Sequence, residues 1–323
     1  MSRARGELEA LARRLGPLAR AGVALGPLTT YRVGGPAALF VEARTRRDLL
    51  AVRDALAGTS VPVLVVGKGS NLLVADRGFE GLAVRLAPVE PSEFLGLSID
   101  EDPAGPAGAM VVRAGGALGL PVVARRSVDA GACGLEWAVG VPGSVGGALR
   151  MNAGGHGSDV AASLRRYGWL ELAAEAEGEG DLARLAPAYR HSSIGPTEVV
   201  LWAEFAARAG EVAAGKAALA EIVAWRRRHQ PGGSNAGSVF TNPPGTSAGA
   251  LIDAAGAKGL RLGSACVSRK HANFIQADEG GSADDVRALM ERVRTMVEAS
   301  AGVRLESEVR LVGFEDQVSE GAS

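Results

Sequence analysis

Seven glycines stand between Gly140 and Val160, in GVPGSVGGALRMNAGGHGSDV. Glycine admits positive φ and lets a ligand come close to the main chain. Successive N–H groups in such a turn form a nest that binds anions. The chemistry this implies is a backbone grip on the phosphates of a large cofactor. Val139, Val141, Val145, Leu149 and Met151 interleave with the glycines, which separates the stretch from a flexible Gly/Ser linker. Two further turns of the same kind lie upstream, TTYRVGG (29–35) and VGKGSN (66–71). Several such turns around one large ligand suit a dinucleotide.

Common catalytic templates are absent. There is no GxxxxGK[ST]. GKGSNL follows a strand-like run as a Rossmann turn would, but Leu72 stands where the third glycine belongs. No GxSxG supports a nucleophile elbow. His156, His191, His229 and His271 show no HExxH pairing, and no CxxC occurs, so no metal is expected.

The elements that must position these turns can be read from periodicity. Leu8, Leu11, Leu15 and Leu18 share one face of a short N-terminal helix. ALFVEA predicts a strand, and TRRDLLAVRDAL a helix with a threonine cap. VPVLVV, LAVRL, MVVRAGG and VVLWAEFAA predict further strands. AAEAEGEGDLARL predicts a hairpin or loop, and AGKAALAEIVAWRRRHQP a helix stopped by Pro231. The last part reads as helix (AGALIDAAG), strand (HANFIQA), helix (SADDVRALMERVRTMVEASAG) and strand (VRLESEVRLVGF), with a frayed tail from Glu315.

Composition bounds the classes. A chain of 323 residues with 47% hydrophobic and 22% charged residues is globular and long enough for two or three domains. The 45 glycines are about twice the usual share of roughly 7%. A net charge of -1 gives no sign of a nucleic-acid or membrane surface, so neither is expected as a partner. Cys133 and Cys266 cannot make a disulfide framework. With no signal-peptide pattern and no membrane-length apolar run, a cytoplasmic protein is expected.

Taken in order, TTYRVGG, GSNLLV, GVPGSVGGALRMNAG, YRHS, AGSVFTNP, KHANFI and LESEVR resemble the UDP-N-acetylenolpyruvoylglucosamine reductase (UDP-N-acetylmuramate dehydrogenase) family from about Gly22 to Gly313. The resemblance implies an α+β chain. An FAD-binding fold of the vanillyl-alcohol-oxidase type, with two α+β subdomains, is followed by a smaller α+β substrate-binding domain. The implied division is a helix over 1–20, an FAD-binding part over 21–210 split near 87, a substrate-binding part over 211–315 and a tail over 316–323. It implies non-covalent FAD, NADPH as hydride donor, UDP-N-acetylglucosamine-enolpyruvate as substrate and a monomer. Carried over by position, Arg190 of YRHS stabilises negative charge, Ser238 of AGSVF donates a proton and Glu308 of LESEVR holds a carboxyl group or proton. FAD contacts fall on Tyr31, Arg32, Val33 and Gly34, on Gly67, Gly69, Ser70, Asn71 and Leu72, and on Pro142, Gly143, Ser144, Gly146, Gly147, Asn152, Ala153 and Gly154. Substrate contacts fall on Asn242, Arg226, His229, Lys270 and Arg310.

Taken alone, these residues have plainer readings. Arg190 would be a surface arginine, Ser238 a cap or turn serine, Glu308 a solvated strand residue and Asn242 an Asn-Pro turn. Two rival classes stay open: another flavin oxidoreductase of the same fold, and a non-catalytic nucleotide-binding module. The chain departs from the family where Lys68 replaces a glycine and Thr241 a lysine, and it lacks a tyrosine-bearing insertion of one subclass.

Overall fold

The computed structural model describes residues 3–314 of the chain; the expected tail lies outside the described residues. The chain folds as two compact units, neither continuous in sequence. One gathers the chain up to Arg20, Leu39–Lys68 and Gly81–Arg228; the other gathers Ala21–Ala38, Gly69–Glu80 and the described chain from His229 onward.

In the first unit, helix Arg3–Leu15 buries Leu11 and Leu15. Helix Arg46–Leu56 starts where the sequence expects it. Thr45 Oγ1 accepts the Asp48 N–H at 3.2 Å, and the Asp48 carboxylate accepts the Thr45 N–H at 2.9 Å. This reciprocal box satisfies two donors that the helix itself leaves unpaired. Both helices bury apolar faces with a sheet ordered Ala19–Ala24, Pro36–Ala43, Phe79–Leu86, Val63–Val66, in a core that includes Leu49, Val52, Leu82 and Val84. Val63–Val66 runs parallel to Phe79–Leu86, which aims its C-terminal end at the turn Gly67–Lys68.

A second, larger sheet is antiparallel, in the order Glu177–Asp181, Leu164–Glu171, Glu198–Ala209, Ala109–Gly115, Leu97–Glu101. The acidic segment, read as a hairpin or loop, pairs as a hairpin through Glu177–Asp181. One face of this sheet buries Val112, Tyr167 and Phe205 with Leu120, Trp137 and Leu149. Strand alternation sends Arg113, Trp202 and Glu204 to the other face. Helix Val212–His229 begins beyond the expected break at 210, yet it packs with this core through Gly215 and Leu219. A Cβ on Gly215 would lie 2.7 Å from Val128 Cγ1, so the helix sits as close as bare backbone allows. The boundary expected at 211 therefore differs from the packing boundary at Arg228.

In the second unit, helix Ala283–Ala301 buries Val286, Met290, Val293 and Val297 at helical spacing. Asp76 holds its first turn, accepting the N–H of Ala283 at 2.9 Å and of Asp284 at 3.2 Å. A three-stranded antiparallel sheet orders Arg261–Leu262, Ala265–Val267 and Ile275–Ala277. Two predicted strands are shorter than expected. Of HANFIQA only Ile275–Ala277 is strand, because Asn273 turns its hydrogen bonds onto Val239 and Phe240. Of VRLESEVRLVGF only Arg310–Val312 is strand, paired in parallel with Leu72–Val74; residues 306–309 instead make single bonds to Val239 and Thr241.

Candidate active site

In the first unit, the strand Val63–Val66 ends in a cavity lined by Gly67, Lys68, Gly116, Ser144, Gly146 and Gly147. Close approach of main chain builds it. A Cβ on Gly116 would lie 2.1 Å from the Val200 carbonyl oxygen, so only glycine fits there. Gly143 accepts the Leu120 N–H at 3.1 Å, and Ser144 Oγ accepts the Gly147 N–H at 3.3 Å to start the helix Val145–Arg150. The nest has fewer available donors than its glycines imply. The N–H groups of Val145 and Gly146 are engaged by Leu118 (2.9 Å) and Gly116 (3.0 Å), and that of Gly147 by Ser144. Among the described residues, the N–H groups of Lys68, Gly143 and Ser144 donate to no protein acceptor. An open cavity with available N–H groups and a lysine fits an anionic diphosphate.

Asn152, expected at the cofactor, is 5% exposed and engaged by the protein. Its amide donates to Ala188 O at 3.2 Å and Asp159 Oδ2 at 3.3 Å, and its oxygen accepts the Ala161 N–H at 3.0 Å. It thus ties the loop to the turn that carries Arg190. That turn closes by reciprocal bonds between Ala188 and His191, with Arg190 at φ 56° and its guanidinium 5.2 Å from the Tyr189 ring centre. Ala153 and Gly154 continue the loop, the latter paired with Asp159; Pro142 is exposed at its start. Arg226 is half-buried on the helix Val212–His229, where burial lowers its guanidinium from the ordinary value. Burial first and Arg226 second lower His156, whose ring meets Trp225 edge-on at 5.2 Å.

In the second unit, Tyr31 and Val33 are buried in the core, so only their main chains are offered to a ligand. Burial pushes the Tyr31 phenol well above its ordinary range, with the Ala236 main chain opposing. Arg32 takes φ 59° in a turn where its N–H donates to Thr29 Oγ1 at 3.1 Å, and Gly34 follows at φ 114°. Gly69 accepts the Thr30 N–H at 3.1 Å, and a Cβ there would strike Leu28 O at 2.3 Å. Ser70 leads to Asn71, whose amide donates to the Glu308 carbonyl at 2.9 Å, and whose carbonyl accepts the Arg310 N–H at 3.0 Å. Leu72 pairs with Arg310 in the parallel ladder.

Ser238 and Glu308 are brought together through one residue. The Glu308 N–H donates to Val239 O at 2.8 Å, next in chain to Ser238. Asn273, 3% exposed, clamps the same segment: Oδ1 accepts the Phe240 N–H at 3.0 Å, Nδ2 donates to Phe240 O at 2.8 Å, and its carbonyl accepts the Val239 N–H at 2.9 Å. In the sequence, the signal for this asparagine is a lone amide in the apolar run of KHANFI, which by itself assigns it no role. Ser238 Oγ bonds nothing among the described residues. Asn242 Oδ1 accepts the Ala248 N–H at 3.0 Å ahead of the helix Ala248–Ala254, which leaves its amide nitrogen for a ligand. Lys270, Arg310 and His229 are exposed.

Comparison with known proteins completes the picture. Residues 37–178 match the family model described as an FAD binding domain, and residues 229–312 match that of UDP-N-acetylenolpyruvoylglucosamine reductase, C-terminal domain. A UDP-N-acetylenolpyruvoylglucosamine reductase of Symbiobacterium thermophilum is 41% identical over 88% of this chain and 89% of its own. One of Rubrobacter xylanophilus is 37% identical over 93% and 97%. The crystal structure of UDP-N-acetylenolpyruvylglucosamine reductase from Thermus caldophilus is 33% identical, with a TM-score of 0.75 over 90% of this chain and 97% of that one.

Proposed function

The chain belongs to the UDP-N-acetylenolpyruvoylglucosamine reductase family, and from that premise we propose that it reduces the enolpyruvyl group of UDP-N-acetylglucosamine-enolpyruvate to UDP-N-acetylmuramate for peptidoglycan synthesis. FAD, when bound, would supply the hydride-transfer chemistry between NADPH and the enolpyruvyl double bond. The chain holds FAD in residues 21–210 and substrate in residues 211–315. In the first unit, Lys68, Gly143 and Ser144 offer N–H groups to the diphosphate. In the second, the turns at Arg32–Gly34 and Gly69–Asn71 offer main chain.

The protein supplies charge and a proton. Negative charge builds on the carbon next to the carboxylate and on the carboxylate itself. The planar guanidinium of Arg190 stabilises that charge. Ser238 gives the proton to the same carbon. A serine hydroxyl is a weak acid, so it must be fixed in place, and the residues that follow it, Val239 and Phe240, are held by Asn273 and Glu308. Glu308 holds the carboxyl group or a proton beside it. Asn242, Arg226, His229, Lys270 and Arg310 bind substrate. The observation that supports this reading is the Glu308 N–H to Val239 O bond, which joins the segment that carries Glu308 to the one that carries Ser238. We place the protein in the cytoplasm as a monomer; no helix among the described residues is long and apolar enough to cross a membrane.

Separate half-reactions test the reading. Ser238→Ala leaves anaerobic bleaching of the flavin by NADPH at its wild-type rate and slows recovery of colour on adding the enolpyruvyl UDP-sugar by at least 10³-fold, on the order of a lost general acid. Equal loss in both half-reactions would refute the proton-donor role. A colourless protein that takes up no FAD would remove the whole assignment.

A further inference from the structure

Lys68 stands where relatives carry a glycine, and the cavity offers it a role. It is exposed, at the end of the strand Val63–Val66, and it lines the cavity with Ser144 and Gly146. Its Nζ lies 2.9 Å from the point a Cβ on Gly119 would occupy, and the Gly143 carbonyl oxygen lies 3.8 Å from that same point. The ammonium therefore stands over bare main chain beside the loop. The cavity's other charged groups are committed to the protein. Glu198 takes both terminal nitrogens of Arg184 at 2.9 Å, and the Arg150 guanidinium bonds the Ile194 carbonyl. Among the described residues, no carboxylate pairs with Lys68. With the N–H groups of Val145, Gly146 and Gly147 engaged by the fold, the loop alone gives a diphosphate few donors.

We propose that Lys68 is a cationic contact for the diphosphate of FAD, which sets how tightly the cofactor is held and makes that affinity salt-dependent. This rests on the reading that the cavity holds the diphosphate. A lysine acts here as a compact point charge on a flexible stem, so its partner is an anion of no fixed geometry. Its contribution falls as salt screens it, because the ammonium is reached by water.

The test is flavin release from the purified holoenzyme, read as recovery of free-flavin fluorescence on dilution across a KCl series. Lys68→Met keeps the stem and removes the charge; Lys68→Arg restores the charge. Gly147→Asp reports on the cavity itself. Gly147 is exposed, and a Cβ there meets only Ser144 Oγ at 3.4 Å, so the variant folds while adding a negative charge. The expected result is an FAD dissociation constant about tenfold higher for Lys68→Met at low salt, with the gap closing near 1 M KCl, where the screening length falls to about 3 Å. Lys68→Arg stays within about twofold of wild type, and Gly147→Asp weakens FAD at low salt. Wild-type affinity in Lys68→Met beside a weakened Gly147→Asp overturns the role of Lys68 and leaves the cavity assignment standing. A loss in Lys68→Met that is the same at every salt concentration also overturns it. Wild-type affinity in Gly147→Asp overturns the cavity assignment itself.

Discussion

At the scale of single residues, the second unit is organised around one buried amide. Asn273 gives Phe240 both a donor and an acceptor, which is what a neighbouring strand would give. Leucine matches its size and offers neither. Asn273→Leu leaves two buried main-chain groups unpaired, at about 1–3 kcal/mol each. The expected outcome is a urea midpoint lowered by that amount, with substrate-driven reoxidation slowed and flavin reduction by NADPH unchanged. Asn273→Asp tests the geometry through pH. The carboxylate accepts the Phe240 N–H but faces the Phe240 carbonyl, so its folded pKa is raised above the unfolded value of about 3.9. The folded state then binds the extra proton. The variant is closest to wild type below pH 4, and it loses stability relative to wild type as pH rises through the raised pKa. Equal midpoints for wild type and Asn273→Leu across that range would show that the clamp does not hold Val239 and Phe240.

At the scale of elements, the outer face of the larger sheet carries an ion-pair ladder that strand alternation puts there. Glu204, 10% exposed at its side chain, accepts from Arg113 at 2.6 Å and from Arg166 at 2.7 and 3.0 Å, while the Arg113 guanidinium lies 3.4 Å from the Trp202 ring centre. Burial alone would raise its carboxyl; the bonds to Arg166 and Arg113 overcome that and hold it below the usual carboxylate range. The unfolded chain binds that proton more readily, so the ladder's stabilisation is present above about pH 4.5 and is lost as pH falls through the lowered value. Glu204→Gln is expected to cost about 1–2 kcal/mol at pH 7, less than a fully buried pair because water reaches both guanidiniums. Its deficit should shrink towards zero in acid, measured as the difference in urea midpoint from pH 3 to 7. These strands were legible in the sequence from apolar alternation, as was the helix from Thr45, whose cap is local. Their order was not, because Trp202 meets Gly115 and Leu170 meets Val199 across long stretches of chain that carry no local signal. HANFIQA and VRLESEVRLVGF show the opposite failure. Both have strand composition, but side-chain and single-bridge bonds replaced the ladder over much of their length.

At the scale of the whole molecule, the chain alternates between two compact units, with Ala21–Ala38 and Gly69–Glu80 grouped with the chain from His229 onward. The motifs were legible because each is local; the pairing of Asn71 with Glu308, far apart in sequence, was not. The cavity assigned to the diphosphate is lined within the first unit alone, and no histidine or cysteine is among its lining residues. The family likeness implies FAD held without a covalent bond, and we propose the same here. Acid precipitation should leave the flavin in the supernatant; flavin retained in the pellet would mean attachment through a residue outside this cavity. Free binding also predicts a thermal signature. FAD at a hundred times its dissociation constant adds about 2.7 kcal/mol to whatever unfolds with the site. For a unit of roughly 150–250 residues that raises the melting temperature by about 2–4 °C per kcal/mol. In calorimetry of the flavin-stripped protein with and without added FAD, the transition containing the first unit should move upward. Failure of any transition to move would show that the first unit does not hold the cofactor.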